Sequence, residues 1–187
     1  MAIRIITDSA SDITALRRPE LTVLPMTISF GEKSFRDGVD LTHRQFYERL
    51  IESSTLPITS QIVPTQFEAA FQAAVDAGET VVAITLSGKL SGTWQNAVLA
   101  AQSFPGRVYV VGSCNAAIGE MILVERALEL AQQGLPAQEM AAVLEREKED
   151  IRLIALLDTL EYLKRGGRIS SSVALVGGLL SIRPVVA

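Results

Sequence analysis

Two hydroxyl-rich stretches, Thr59-Ser60-Gln61 and Ser87-Gly88-Lys89-Leu90-Ser91-Gly92-Thr93, carry the residue types that hold an oxyanion, and each runs toward a helix-like segment. A helix start leaves backbone N–H groups without intrahelical acceptors and carries the positive end of the macrodipole. A carboxylate or phosphate placed there gains donors and field together. Serine and threonine hydroxyls add donors that rotate to fit. The second stretch follows Thr80-Val81-Val82-Ala83-Ile84-Thr85, an apolar β-rich run. Ser87, Ser91, Gly92 and Thr93 are thereby expected at the carboxyl end of a strand, where open α/β sheets bind ligands. A third polar turn, Thr7-Asp8-Ser9-Ala10-Ser11-Asp12, follows residues 3–6 and gives Asp8 and Ser9 an equivalent place.

Other chemistries fit less well. Nucleophilic catalysis of the Ser-His-Asp type would require His43, the one histidine, yet no Gly-x-Ser-x-Gly elbow surrounds Ser87 or Ser91. A phosphotransfer or acyl-transfer enzyme modified at Ser91 or Ser87 stands as the alternative reading. Ser87-Gly88-Lys89 hints at a phosphate loop, but the Gly-x-x-x-x-Gly-Lys-Ser/Thr spacing is missing. With one histidine and one cysteine, Cys114, no metal-ligand cluster forms in the sequence, so no cofactor is expected. Taken alone, Thr59 and Ser91 read most plainly as N-caps of their own helices, and Asp8 as a cap or loop anchor.

The elements needed to position these residues are legible as a βα alternation. Residues 3–6 read as a buried parallel strand, 21–24 and 26–30 as short extended segments parted by Pro25, and 31–38 as a hairpin whose strongest turn signal is Asp37-Gly38. Thr42 caps a helix with Phe46, Tyr47, Leu50 and Ile51 on one face. Pro64 and Thr65 open a second helix that ends at Gly78. Strands are expected over 80–85, 107–111 and 151–157, with helices over 91–103, 116–133 and 137–150.

At 187 residues, 48% hydrophobic and 20% charged, the chain has room for one domain and part of another. Its formal charge of −4, with basic residues scattered, argues against a nucleic-acid partner. The unpaired cysteine and the absence of a signal-like N-terminal segment give a cytoplasmic expectation. No stretch approaches the roughly 18 to 20 apolar residues of a membrane span, the nearest being 173–180, which leaves transient contact with a membrane surface open. The β-prone run 181–187 suggests a chain cut short.

Five stretches taken together resemble the DegV family of fatty-acid-binding proteins: Thr7-Asp8-Ser9-Ala10-Ser11-Asp12-Ile13, Phe35-Arg36-Asp37-Gly38-Val39-Asp40-Leu41, Thr59-Ser60-Gln61, Leu90-Ser91-Gly92-Thr93-Trp94-Gln95-Asn96-Ala97 and Leu160-Glu161-Tyr162-Leu163-Lys164-Arg165-Gly166-Gly167-Arg168-Ile169. The resemblance implies an α/β fold, a parallel sheet flanked by helices over residues 1–157, with the start of a second, smaller α/β lobe over 158–187 that is truncated. It implies a bound long-chain fatty acid between the lobes, its carboxylate on Thr59 and Ser91, with Asp8, Ser9, Ser60, Gln61, Ser87, Gly92 and Thr93 bordering the pocket. It further implies a non-catalytic carrier that presents the acid to a separate bacterial fatty-acid kinase for acyl-phosphate formation, and it makes Arg168 a candidate partner contact. Two departures stand out. Ile62-Val63 intervene between Gln61 and Pro64, where the family has proline directly, and Gly112 replaces an aspartate before Ser113.

Overall fold

The computed structural model describes residues 2–13, 18–169 and 185–186. The chain divides into two compact units, Met1–Ile151 and Arg152–Ala187, so the division falls ahead of the boundary after 157 drawn from the sequence.

In the first unit four strands form one parallel sheet: β1 (Ile3–Asp8), β2 (Leu21–Leu24), β6 (Thr80–Thr85) and β7 (Val108–Gly112), in the order β2-β1-β6-β7. Every residue of β6 is buried, which is why that strand reads as an unbroken apolar run rather than an alternating one. Side-chain alternation sends Ile5, Val82, Ile84 and Val111 to one face, against helices α4 (Ile118–Gln132) and α5 (Ala137–Glu147). Ile6, Val81, Ala83 and Val108 go to the other, against α2 (Pro64–Asp76) and α3 (Thr93–Ala101). The expected α/β fold with a helix-flanked parallel sheet is thus observed.

The strand order reverses between β1 and β6: from β1 the chain moves outward to β2, and from β6 it moves the other way to β7. This is a topological switch point, where the loops leaving the two central strands diverge and leave a crevice at their carboxyl ends. Asp8 closes β1 and Ser9 follows it; the loop after β6 carries Ser87 to Gly92, and Thr93 opens α3.

A second, antiparallel sheet of β3 (Thr27–Phe30), β4 (Lys33–Arg36) and β5 (Ile58–Ser60) has the order β4-β3-β5. Its hairpin turns at Gly31-Glu32, with Gly31 at φ +59, the first central position that a type II′ turn reserves for glycine. The Asp37-Gly38 signal belongs instead to a separate turn after β4, where Gly38 N donates to Leu41 O at 3.1 Å. Helix α1 (His43–Glu52) starts at Thr42 as expected, with both halves of a capping box in place. Its apolar stripe is not buried, however: Phe46 meets Phe30 at 5.9 Å between ring centroids, while Tyr47 and Ile51 stay 62% and 84% exposed.

Helix α5 gives way to a single 3-10 turn at Lys148–Asp150. In the second unit the strand expected over 151–157 shrinks to β8 (Ala155–Leu156), antiparallel to β9 (Val185–Val186), and the short helix α6 (Glu161–Arg165) follows β8. The apolar run 173–180 lies outside the described residues.

Candidate functional site

At the switch point the loops are tied to one another through a closed ring of hydrogen bonds. Asp8 is fully buried at the end of β1; its Oδ1 accepts from Ala10 N at 3.0 Å and its Oδ2 from Leu86 N, across the crevice, at 2.9 Å. The next residue, Ser87, donates its N–H to Asn115 O in the loop after β7 at 2.7 Å. Two residues beyond Asn115, Ala117 N donates to Ala10 O at 2.8 Å, and the ring returns to Asp8. The aspartate anchors the loop after β6, with both of its oxygens engaged by backbone donors. Ser9 is likewise occupied, its Oγ accepting from Met26 N at 3.1 Å.

The ring carries strain. Cys114 and Ala117 stand at φ +56 and +51, and Ala117 combines its φ with ψ −132, a region few residues other than glycine enter. Ser113 Oγ holds this loop by donating to Asn115 O at 3.0 Å and accepting from Asn115 N at 3.1 Å. The glycine at position 112 has its own reason: a Cβ there would lie 3.0 Å from Cδ1 and Nε1 of Trp94, which rests over the end of β7.

Beneath the ring lies a group that the sequence reading missed. Glu120, in the first turn of α4, is fully buried; its Oε1 accepts from Thr7 Oγ1 at 3.1 Å, and among the described residues its Oε2 has no hydrogen-bond partner. Burial first, and then the charges of Asp8 and Asp12, push its carboxyl up to about 10, so it is a neutral acid at physiological pH. Burial also raises Asp8, to about 6, against the pull of its two backbone donors. An acid in a first helical turn looks like a solvated dipole partner. The signal available was periodicity, since Glu120 lies at helical spacing from Leu123, Val124 and Ala127 and so on the buried stripe.

The loop after β6 forms a tight turn, Leu90 N and Ser91 N both donating to Ser87 O, with Ser87 Oγ accepting from Lys89 N. Ser91 Oγ lies 2.9 Å from Thr93 Oγ1 and accepts from Thr93 N at 3.3 Å, so it closes a local turn one residue ahead of Gly92, the N-cap of α3, while standing half-buried. Thr59-Ser60-Gln61 does not open a helix as expected. Thr59 and Ser60 lie in β5, exposed, paired with Ile28 and Thr27 of β3, and α2 opens at Pro64, where the sequence places its start. The intervening Ile62 explains the displacement: it is buried among Phe67, Phe71 and Ala97 and pins the chain before the helix starts.

The two hydroxyl stretches nonetheless meet. The Gln61 side chain rests on Gly92, where a Cβ would stand 2.0 Å from its Oε1. Ile62 N donates to Thr93 Oγ1 at 3.4 Å, and Asn96 Nδ2 donates to Ile62 O at 2.8 Å. Ser87, Ser91, Gly92, Thr93 and Gln61 are therefore one contiguous cluster of hydroxyls, amides and glycine, anchored from below by Asp8. Arg168 sits in the second unit, exposed, its Nη1 donating to Gly166 O at 2.6 Å. Among the described residues neither Ser87 nor Ser91 is hydrogen-bonded to an imidazole or carboxylate. Among the described residues no group of three or more His, Cys, Asp or Glu is placed to hold a metal ion, and no helix is long and apolar enough to cross a membrane.

Comparison with known proteins places this arrangement. Residues 2–187 match the family model described as an uncharacterised protein of the DegV family. A DegV domain-containing protein of Deinococcus radiodurans is 38% identical over 188 residues, covering 100% of this chain and 67% of its own. Among solved structures, a fatty-acid-binding DegV family protein from Thermus thermophilus superposes with a TM-score of 0.89 at 39% identity, covering 99% of this chain and 67% of its own. A fatty acid kinase B3 protein of Streptococcus pneumoniae loaded with linoleic acid does so with a TM-score of 0.86 at 28% identity, over 99% of this chain and 68% of its own. The chain thus spans about two thirds of the length of these relatives. On the family match and these likenesses, the chain belongs to the DegV family.

Proposed function

We propose that the chain is a non-catalytic carrier that binds one long-chain fatty acid, its carboxylate at Ser91 and Thr59, and presents it to a separate fatty-acid kinase. The observation that carries the reading is the joining of the two hydroxyl motifs, Gln61 on Gly92 and Ile62 on Thr93, at the switch point of a sheet whose structural relatives bind fatty acids. The kinase partner is supported by the likeness to the fatty acid kinase B3 protein.

The physical chemistry agrees. Each buried methylene contributes about 0.8 kcal/mol, so a C16 chain supplies on the order of 10 kcal/mol before ordering costs. The head group needs hydrogen bonds rather than a full counter-charge, and hydroxyls with backbone amides supply them. An arginine fork would hold both carboxylate oxygens, whereas neutral donors leave one free to attack a phosphoryl group delivered by a partner.

The test is lipid extraction and native mass spectrometry of gently purified protein, with affinity titrations of Thr59→Ala and Ser91→Ala. Each substitution is expected to weaken binding by about 1 to 3 kcal/mol. Ser91→Ala also unpairs Thr93, so the melting temperature without ligand separates loss of fold from loss of contact. Unchanged affinity in both variants places the head group elsewhere. A covalent adduct on Ser91 or Ser87 after incubation with ATP or an acyl donor refutes the non-catalytic reading.

A further inference from the structure

Asp8 touches no exposed surface, yet its side chain spans the switch point, and both of its oxygens are committed to backbone donors on opposite sides of the crevice. Leu86, which it holds, immediately precedes Ser87, whose carbonyl shapes the turn that delivers Ser91. We propose that ionised Asp8 is the positioning residue for the head-group loop, so that its protonation state sets how well the chain holds a fatty acid. The inference rests on the fatty-acid reading above and adds to it a route by which acidity regulates the same site.

The geometry requires the charged form. A carboxylate accepts strongly on both oxygens, but in a protonated carboxyl the hydroxyl oxygen is a poor acceptor that must also place its own proton, so the bond from either Leu86 N or Ala10 N is weakened. Leu86 is the bond to lose, because Ala10 N lies only two residues along the same turn while Leu86 N is reached across strands. Releasing Leu86 frees the start of the Ser87 to Thr93 loop, and the ring through Asn115 and Ala117 no longer closes.

The surrounding charges leave Asp8 free to switch. Glu120 approaches from α4 and holds its own proton far above neutrality, so it adds no negative charge below about pH 10. Asp12 closes the 3-10 turn and acts on Glu120. From the loop after β6 the charged residue is Lys89, which is exposed. Among the described residues no cation forms an ion pair with Asp8, whose ordinary range is shifted by burial to about 6, within reach of physiological acidification.

The full chain answers this directly. In the unliganded protein the amide resonances of Leu86 and Ala10 are expected to move together with one midpoint near 6, and this transition is expected to vanish in Asp8→Asn. Palmitate affinity, measured by competition against a fluorescent fatty-acid analogue, is expected to fall by up to about tenfold for each pH unit below that midpoint in the wild type, one proton being linked to each ligand. Asp8→Asn is expected to bind more weakly at about pH 8 and to lose the part of the slope that belongs to Asp8; palmitate's own titration is common to both proteins and cancels in the comparison. A Leu86 amide that does not titrate overturns the proposal without any variant being needed. So does an equal slope in both proteins, or an affinity that rises toward acid. A wild type that binds palmitate with a flat profile refutes the role of Asp8 alone, whereas one that binds none at any pH refutes the fatty-acid reading itself.

Discussion

Replacing Glu120 by glutamine is expected to stabilise the protein at neutral pH and to do nothing of the kind in acid. In the unfolded chain Glu120 titrates near its ordinary value of 4.5; in the fold it titrates near 10. Between those values the native state binds one more proton than the unfolded state, so stability falls as pH rises through the window. At about pH 7.4 the gap to 4.5 is about 3 units, and at 1.36 kcal/mol per unit it costs about 4 kcal/mol. Glutamine keeps an oxygen to accept from Thr7 Oγ1 and needs no proton, but it places an amide where Oε2 has no partner among the described residues. That amide returns about 1 to 2 kcal/mol. A net gain of about 2 to 3 kcal/mol raises the melting temperature by roughly 4 to 12 °C for a chain of this size. Thermal unfolding of both proteins from about pH 4.5 to pH 8 is the assay, and the gain should shrink steadily toward the acid end. A difference that is the same at every pH, or a destabilised variant at neutrality, would show that Glu120 is ionised in the fold and that the reasoning fails.

Gly92→Ala should drive the Gln61 amide off its seat and weaken fatty-acid binding while costing less than about 1 kcal/mol of stability, because the displaced atom is the end of a flexible side chain. In a Gln61→Ala background the same substitution should be nearly silent; a full, additive loss in the double-mutant cycle would deny the contact. Ala117→Gly should stabilise by about 1 kcal/mol on denaturant titration, since glycine relieves a backbone conformation that alanine tolerates poorly, and a loss would place the strain elsewhere. Ile62→Ala should cost about 2 to 5 kcal/mol as a fully buried core deletion, and a cost below 1 kcal/mol would remove the stated reason for the start of α2 at Pro64.

What the sequence disclosed follows from which interactions are local. β6 and the capped start of α1 were legible because an unbroken apolar run and a Thr-x-x-Gln box are short-range signals. The hydroxyl loop after β6 fell where strand-end logic put it. Thr59 and Ser60 were misread because β5 gains its identity from partners far away in the chain, Ile28 and Thr27, and a three-residue edge strand leaves no period to detect. The apolar stripe of α1 announced a helix correctly but said nothing about how much of that stripe would be covered. Asp8 was placed in the right loop, yet its reach to Leu86 depends on strand order, which no local pattern encodes. Glu120 carries a charge that points to solvent, and only its spacing from Leu123, Val124 and Ala127 puts it on the buried stripe of α4.

The two hydroxyl motifs belong to different sheets: Thr59 to the edge of the antiparallel sheet, Ser91 to a loop of the parallel one. On the proposed reading, a carboxylate gripped by both is a removable staple added to the bonds that Ile62 makes with Thr93 and Asn96, and its loss loosens the junction without breaking a single strand pairing in either sheet. Emptying the carrier would then be felt mechanically at β5 and α1, far along the chain from Ser91, as a loosening that amide exchange or limited proteolysis registers before any change in the main sheet. A protein whose cargo doubled as a fastener would advertise on its surface whether it is loaded.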